Sequence, residues 1–118
     1  MDDVVDDGEL RVFCLCAAWC GVCRDYRGVV DAAAASGTAR FDWVDIEDEA
    51  ALLDDIDVED FPTLLIARGD RTLFFGTVTP QPATLARLVQ RAADGELAPL
   101  AVAPGVAALA GRLGAARA

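Results

Sequence analysis

Short apolar runs alternate along this chain with segments whose apolar residues recur every three or four positions. The run from Leu10 to Ala17 is interrupted only by Arg11, which is typical of a strand buried on both faces. The segment from about Val22 places its apolar residues at helical spacing and reaches a stop signal at Ser36-Gly37. The pattern therefore predicts a strand followed by a helix.

The same pattern predicts the elements that follow. Strands are expected at Phe41–Ile46, Thr63–Ala67 and Thr72–Gly76, and helices at Glu47–Asp55 and Gln81–Ala93. Thr63–Ala67 is apolar on both sides, which favours a position at the centre of the sheet. The order predicts an α/β fold: a four-stranded mixed sheet, built from a βαβ unit and then a ββα unit, with helices on both faces.

The length and the change in composition near residue 94 define the expected domain organisation. A chain of 118 residues is long enough for one hydrophobic core. We expect a single domain over residues 1–93. Residues 94–118 are rich in alanine, proline and glycine, and they are expected to form a tail with one weak helix near Val106–Leu113.

Charge and composition exclude several classes of function. The net charge of −10 and the lack of a basic stripe exclude nucleic-acid binding and favour a monomer. The sequence contains no histidine and no lysine, so histidine-activated nucleophiles, imidazole metal ligands and Schiff bases are excluded. We expect no membrane span, because uninterrupted apolar runs are too short. The chain begins Met1-Asp2-Asp3 without a basic segment, so no signal peptide is expected and a cytoplasmic location is favoured.

The reactive residues are four cysteines that lie within ten positions of one another: Cys14, Cys16, Cys20 and Cys23. Cys20 lies where the first strand leads into the first helix, and backbone N–H groups at a helix N-terminus stabilise a thiolate. Cys23 follows one turn later, within disulfide distance. The spacing therefore predicts a redox pair with a Cys20–Cys23 disulfide, capable of thiol–disulfide exchange. The alternatives are half of a zinc site and two buried core thiols.

Two segments carry a resemblance to a known family. Trp19-Cys20-Gly21-Val22-Cys23-Arg24 resembles the active-site turn of the thioredoxin family, and Phe61-Pro62-Thr63-Leu64-Leu65-Ile66 is similar to its second signature. Gly69 and Gly76 match family glycines. The resemblance covers about Glu9 to Ala93 and implies a thioredoxin-like fold reduced to its minimal core, without the family's first strand and helix.

The resemblance also implies roles for individual residues. Cys20 would attack a substrate disulfide and Cys23 would resolve the mixed disulfide. Phe61 and Pro62 would bind an extended substrate segment next to Cys20, with a cis Phe61–Pro62 bond; an ordinary trans proline at the start of a strand is the alternative. The residues expected to support the active site are Trp19, Gly21, Val22, Arg24 and Cys14. No cofactor or metal is expected, and the implied partners are protein disulfides and an electron donor, either a thioredoxin-reductase-like enzyme or glutathione.

Three positions depart from the family pattern. Cys14 occupies the position of a buried acid that assists the second cysteine, Trp43 replaces the lysine that commonly partners this acid, and Val22 replaces a proline. The family's proton transfer to and from Cys23 and its redox potential therefore cannot be assumed for this chain. Cys14 and Cys16 share one sheet face. They are expected to be buried core thiols; alternatively, Cys14 lies beneath Cys23 and exchanges with it or helps to bind a soft metal.

Three functional hypotheses follow. The first is a small thiol–disulfide oxidoreductase that acts on protein disulfides, most simply as a reductase in a reducing compartment. The second is a thioredoxin-fold binding or redox-sensing module without catalysis. The third is soft-metal binding by the cysteine cluster. Trp19 is expected either to pack beside Cys20 or to serve as a core aromatic, and the acidic run from Glu47 to Asp60 is expected to form a solvated face.

Overall fold

The computed structural model describes residues 9–53, 56, 58, 60–68, 71–97 and 104–116. Within them the chain forms eight elements. They are β1 (Leu10–Cys16), α1 (Gly21–Ala34), β2 (Arg40–Asp45), α2 (Ala50–Leu53), β3 (Thr63–Arg68), β4 (Arg71–Thr77), α3 (Pro82–Ala93) and α4 (Pro104–Ala116). The expected strands and helices up to α3 are all present, whereas Gly69 and residues 98–103 lie outside the described part.

The four strands form one mixed sheet in the order β2-β1-β3-β4. β1 pairs with β2 in parallel and with β3 in the antiparallel direction, and β3 pairs antiparallel with β4. The two inner strands are therefore β1 and β3, the two that are apolar on both sides. The predicted α/β architecture, with a βαβ unit followed by a ββα unit, is confirmed.

One face of the sheet is covered by α1 and α3. Cys23, Tyr26 and Val30 of α1 and Leu85, Val89 and Ala92 of α3 pack against side chains of β1 and β3. These β1 side chains are Leu10, Val12, Cys14 and Cys16, which alternate along the strand as its pleat requires. Cys14 and Cys16 therefore share one face of the sheet, as predicted, and this face is the one that α1 and α3 cover.

The opposite face is covered by α2 and α4. Phe13 and Leu15 of β1 pack there with Leu53 of α2 and with Val106, Leu109 and Leu113 of α4. Helices on both faces were predicted. The helix expected near Val106–Leu113 is longer, from Pro104 to Ala116, and its apolar residues belong to the core, so this part of the expected tail covers the sheet.

Turns in the backbone account for the residues at which β1 and α1 end. β1 ends at Cys16 because Ala17 begins a turn, in which its carbonyl accepts a hydrogen bond from the Cys20 N–H at 3.1 Å. Past the end of α1, Gly37 takes a left-handed conformation with φ of 77°, as a glycine stop signal predicts. In the part of the chain that the structure describes, no helix has the length and apolar character needed to cross a membrane.

Candidate active site

Cys20 is placed at the mouth of the first helix by the turn that follows β1. It is the N-cap residue of α1, with an extended backbone, and its carbonyl accepts the Arg24 N–H at 3.1 Å. The thiol is free and half-buried. This position gives Cys20 partial access to solvent at the positive end of the α1 dipole, which interacts favourably with a negative charge.

Cys23, one turn further along, is disulfide-bonded to Cys16 of β1. The expected Cys20–Cys23 disulfide is therefore not the bond found in this structure, and the expectation that Cys16 is a free core thiol is wrong. The physical reason is the placement of α1, which sets its first turn over the end of β1 with the Cα atoms of Cys16 and Cys23 5.8 Å apart. Both cysteines have 0% exposure.

The loop that precedes β3 lies beside the Cys20 turn. The Phe61–Pro62 peptide bond is cis. Pro62 is buried, and its carbonyl accepts the Val78 N–H at 3.1 Å, which ties the loop to the chain just after β4. Phe61 is half-buried and packs against the same core as Cys20. The two segments singled out in the sequence are thus neighbours in the fold.

Trp19 connects these two segments at the surface. Its ring meets Phe61 edge-to-face with centroids 5.6 Å apart, and its indole Nε1 donates a hydrogen bond to Glu47 Oε2 at 3.1 Å. The side chain is 62% exposed, so the interpretation as a core aromatic is wrong. Glu47, at the start of the acidic run, is exposed as expected, but sequence reasoning missed its contact with Trp19.

The remaining predicted site residues lie in the first turn of α1. Gly21 and Val22 are exposed, Val22 with 44% of its surface accessible. Arg24 donates from Nη1 to the Ala18 carbonyl at 3.2 Å and so braces the turn that presents Cys20. All of these residues follow Cys20 directly in the first turn of α1.

Comparison with known proteins agrees with this geometry. The thioredoxin family model matches residues 2–91. The chain belongs to the thioredoxin family. Similar solved structures include a mutant thioredoxin from Halobacterium salinarum, which is 25% identical, with 75% of this chain and 79% of that chain covered at a TM-score of 0.63. A search of curated proteins finds no match.

Other thioredoxins share the fold at lower identity. The germline-specific thioredoxin Deadhead of Drosophila melanogaster is 22% identical, with 74% of this chain and 83% of that chain covered at a TM-score of 0.61. Fasciola hepatica thioredoxin is 23% identical, with 72% and 82% covered and a TM-score of 0.65.

Cys14 occupies the thioredoxin-family position of a buried acid, and its environment keeps it neutral. Burial raises the pKa of the Cys14 thiol to about 12, and the nearby charge of Arg27 opposes this rise. The thiol is free and buried, in agreement with the interpretation as a core thiol. The cysteine bonded to Cys23 is Cys16 and not Cys14, and no group of three or more potential ligands is placed to hold a metal ion among the described residues.

Arg27 is a feature that the sequence analysis missed. Its guanidinium lies over the Trp43 ring, 4.8 Å from the centroid, and it is near enough to Cys14 to act on its pKa. A cation from α1 thus approaches the region where the thioredoxin family commonly places a strand lysine. Helical spacing could have indicated that Arg27 lies near the cysteines, because it follows Cys23 by four residues on the same face of the helix.

Asp45, at the end of β2, organises the turn beside the cysteines. Its Oδ2 accepts the Ala18 N–H at 3.1 Å, and its Oδ1 accepts the N–H groups of Glu47 and Asp48 at 2.9 and 3.1 Å. Asp45 stands opposite Cys16 in the parallel register of β1 and β2. The Asp45 carboxylate therefore holds in place both the backbone turn that precedes Cys20 and the loop that contains Glu47.

Replacing Asp45 with alanine is expected to lower the free energy of unfolding by about 1–3 kcal/mol, because three backbone donors lose a charged acceptor. Urea denaturation monitored by circular dichroism measures the change. Asp48→Ala serves as the matched control and should stay within about 0.5 kcal/mol of the wild type, because its side chain is exposed and its backbone donor is retained. Equal losses in the two variants would show that the Asp45 hydrogen bonds contribute little.

A groove of about 540 Å³ opens beside the disulfide. Cys23 and Arg27 line it on the α1 side, and Trp43, Asp45 and Glu49 line it on the β2 side. Positively and negatively charged side chains therefore both line the groove next to Cys23, whose own surface is fully buried.

Proposed function

We propose that this thioredoxin-family protein is a thiol–disulfide oxidoreductase that reduces protein disulfides through Cys20. Family membership supports thiol–disulfide exchange in general. The observation that carries the finer proposal is the free, half-buried Cys20 thiol at the N-terminus of α1, one turn before a cysteine that is engaged in a disulfide. A nucleophile and a redox-active partner therefore share one helical turn.

The reaction begins once Cys23 has been reduced. The Cys20 thiolate attacks one sulfur of the substrate disulfide, which forms a mixed disulfide and releases the other substrate sulfur as a thiolate. The Cys23 thiolate then attacks the Cys20 sulfur, forms a Cys20–Cys23 disulfide and releases the second substrate thiolate. The substrate gains two electrons and the protein loses two, so an external dithiol or an equivalent donor must reduce the protein again.

The loop around the cis-proline supports an extended protein segment as the substrate. Phe61 and Trp19 form an aromatic surface next to the Cys20 turn, and Trp19 keeps 62% of its surface exposed. Aromatic groups of this kind provide contact area at low entropic cost. We propose that the backbone of Phe61 pairs with the substrate, that a thioredoxin-reductase-like enzyme or glutathione supplies electrons, and that the protein acts as a monomer in the cytoplasm.

Reduction of insulin driven by dithiothreitol tests the proposal. Replacing Cys20 with serine is expected to lower the rate to that of dithiothreitol alone, because the attacking thiolate is removed. The matched control is Ala34→Ser, which introduces a hydroxyl at an exposed position near the other end of α1 and should keep the wild-type rate. Equal rates for the wild type and Cys20→Ser would contradict a catalytic Cys20.

The second candidate function is a redox-sensing or binding module without catalysis. The Cys16–Cys23 disulfide favours it, because this bond removes the resolving cysteine from exchange until it is reduced. The neutral Cys14 at the position of the family acid points in the same direction, since it offers no base to Cys23. The insulin assay separates the two functions: a module of this kind gives the same rate with and without Cys20.

A further inference from the structure

The sulfur of Cys23 is within reach of two different cysteines. In the structure it is bonded to Cys16, which lies beneath it on β1. Cys20 precedes Cys23 by three residues at the start of the same helix, so their side chains lie on one face about 5–6 Å apart. Either bond can therefore form without a change in secondary structure.

The two possible partners differ in their access to solvent. Cys16 has 0% exposure, whereas Cys20 is half-buried at the protein surface. Cys14, the remaining cysteine, lies two residues before Cys16 on the same face of β1, and its thiol is buried and free. Exchange at Cys23 is thus a competition between one interior cysteine and one surface cysteine.

We propose that Cys16 is a third redox-active cysteine, which competes with Cys20 for Cys23 and leaves Cys20 as a reactive thiol when the protein is oxidised. The step needs no external oxidant or reductant. The Cys16 thiolate attacks Cys23 of a Cys20–Cys23 disulfide, the Cys16–Cys23 bond forms, and Cys20 leaves as a thiolate. The reverse attack by Cys20 on Cys23 returns the disulfide to the surface, where a donor reaches it.

The oxidised protein would therefore retain an activity that a simple two-cysteine site lacks. With Cys23 bonded to Cys16, Cys20 can attack a disulfide, but the resulting mixed disulfide has no neighbouring thiolate to resolve it. The protein would then exchange disulfides through one thiol. The exchange through one thiol rests on the proposed function, in which Cys20 is the nucleophile. The bonding of Cys23 to Cys16 does not, and it can be tested without any substrate.

Alkylation of the wild-type protein after oxidation tests the proposal. The reduced protein is oxidised with diamide, freed of reagent and treated with N-ethylmaleimide in its folded state. It is then unfolded and cleaved with chymotrypsin, which can cut after Trp19 and so separates Cys14 and Cys16 from Cys20 and Cys23. Most molecules are expected to carry a single label on Cys20, with the two cysteine-containing peptides still linked by a disulfide. Unlabelled protein with unlinked peptides would overturn the proposal.

Two alanine variants show which buried thiol is responsible. Cys16→Ala is expected to lose both the label and the link, because Cys23 then bonds to Cys20. The matched control, Cys14→Ala, removes a buried thiol from the same face of β1 and is expected to retain both. A labelled Cys16→Ala, or loss of the link in Cys14→Ala, would contradict the assignment of Cys16. Failure of the proposed function is detected separately, by equal insulin reduction in the wild type and Cys20→Ser.

Discussion

Replacing Cys23 with serine is expected to convert a transient mixed disulfide on Cys20 into a stable one. The serine hydroxyl cannot attack the Cys20 sulfur, so the second step of exchange is blocked while the first step is retained. Cys16 does not replace Cys23, because it lies on β1 beneath Cys23, whereas Cys20 lies at the start of α1. Cys14 does not replace it either, because this buried thiol stays protonated near neutral pH.

The measurement uses one equivalent of dithionitrobenzoate added to fully reduced protein. Wild-type protein is expected to release both thionitrobenzoate groups of each reagent molecule, since Cys20 displaces the first and Cys23 the second. The Cys23→Ser variant should release half as much and carry the other group on Cys20, which intact mass spectrometry detects. Circular dichroism checks the fold, and Cys23→Ala offers an apolar alternative. Full release from both variants would assign the resolving role to another cysteine.

The pattern of apolar residues predicted most of the fold, because each element was specified by local sequence. β1 and β3 are apolar on both sides, and this property alone assigned β3 to the centre of the sheet, where it lies. The bounds of α2 were less predictable. The segment from Glu47 was expected to be helical, but the Asp45 side chain binds the N–H groups of Glu47 and Asp48, and the helix begins only at Ala50.

The placement of the cysteines on their elements was predictable, but the disulfide between them was not. Strand alternation placed Cys14 and Cys16 on one face, and helical spacing placed Cys20 and Cys23 in one turn. Which strand cysteine lies beneath Cys23 depends on where α1 crosses β1, and a shift of two residues moves the contact by about 6.6 Å. That crossing is set by the packing of Tyr26 and Val30 against the sheet, which no local pattern encodes.

Arg27 and Glu47 were missed for a related reason. Each interacts with a residue far away in sequence: Arg27 lies over the Trp43 ring, and Glu47 accepts a hydrogen bond from Trp19. Charged residues near a cleft are individually uninformative, since most charged residues are solvated. The parallel pairing of β1 with β2 brings these groups together around the cysteines, and this pairing becomes evident only in the folded structure.

Replacing Leu109 with alanine is expected to lower the free energy of unfolding by about 2–5 kcal/mol, out of the roughly 5–15 kcal/mol typical of a domain. Leu109 has 0% exposure and packs with Phe13 and Leu15 on the sheet face covered by α2 and α4. Removing its branched side chain leaves a cavity between α4 and the sheet. Composition alone predicts that this segment is a tail. Leu109 would nevertheless contribute as much to the free energy of unfolding as a residue in a central strand.

Two hydrogen bonds support this role for α4. Arg112 Nε donates to the Leu52 carbonyl at 2.7 Å, and Arg11 Nη1 donates to the Gly114 carbonyl at 3.2 Å, so the helix is joined to both α2 and β1. Urea denaturation of reduced protein measures the loss for Leu109→Ala. Ala108→Ser, an exposed neighbour on the same helix, is the matched control and should change stability by no more than about 0.5 kcal/mol. If both variants unfold at the wild-type urea concentration, α4 is dispensable, and Phe13 and Leu15 must be covered in another way.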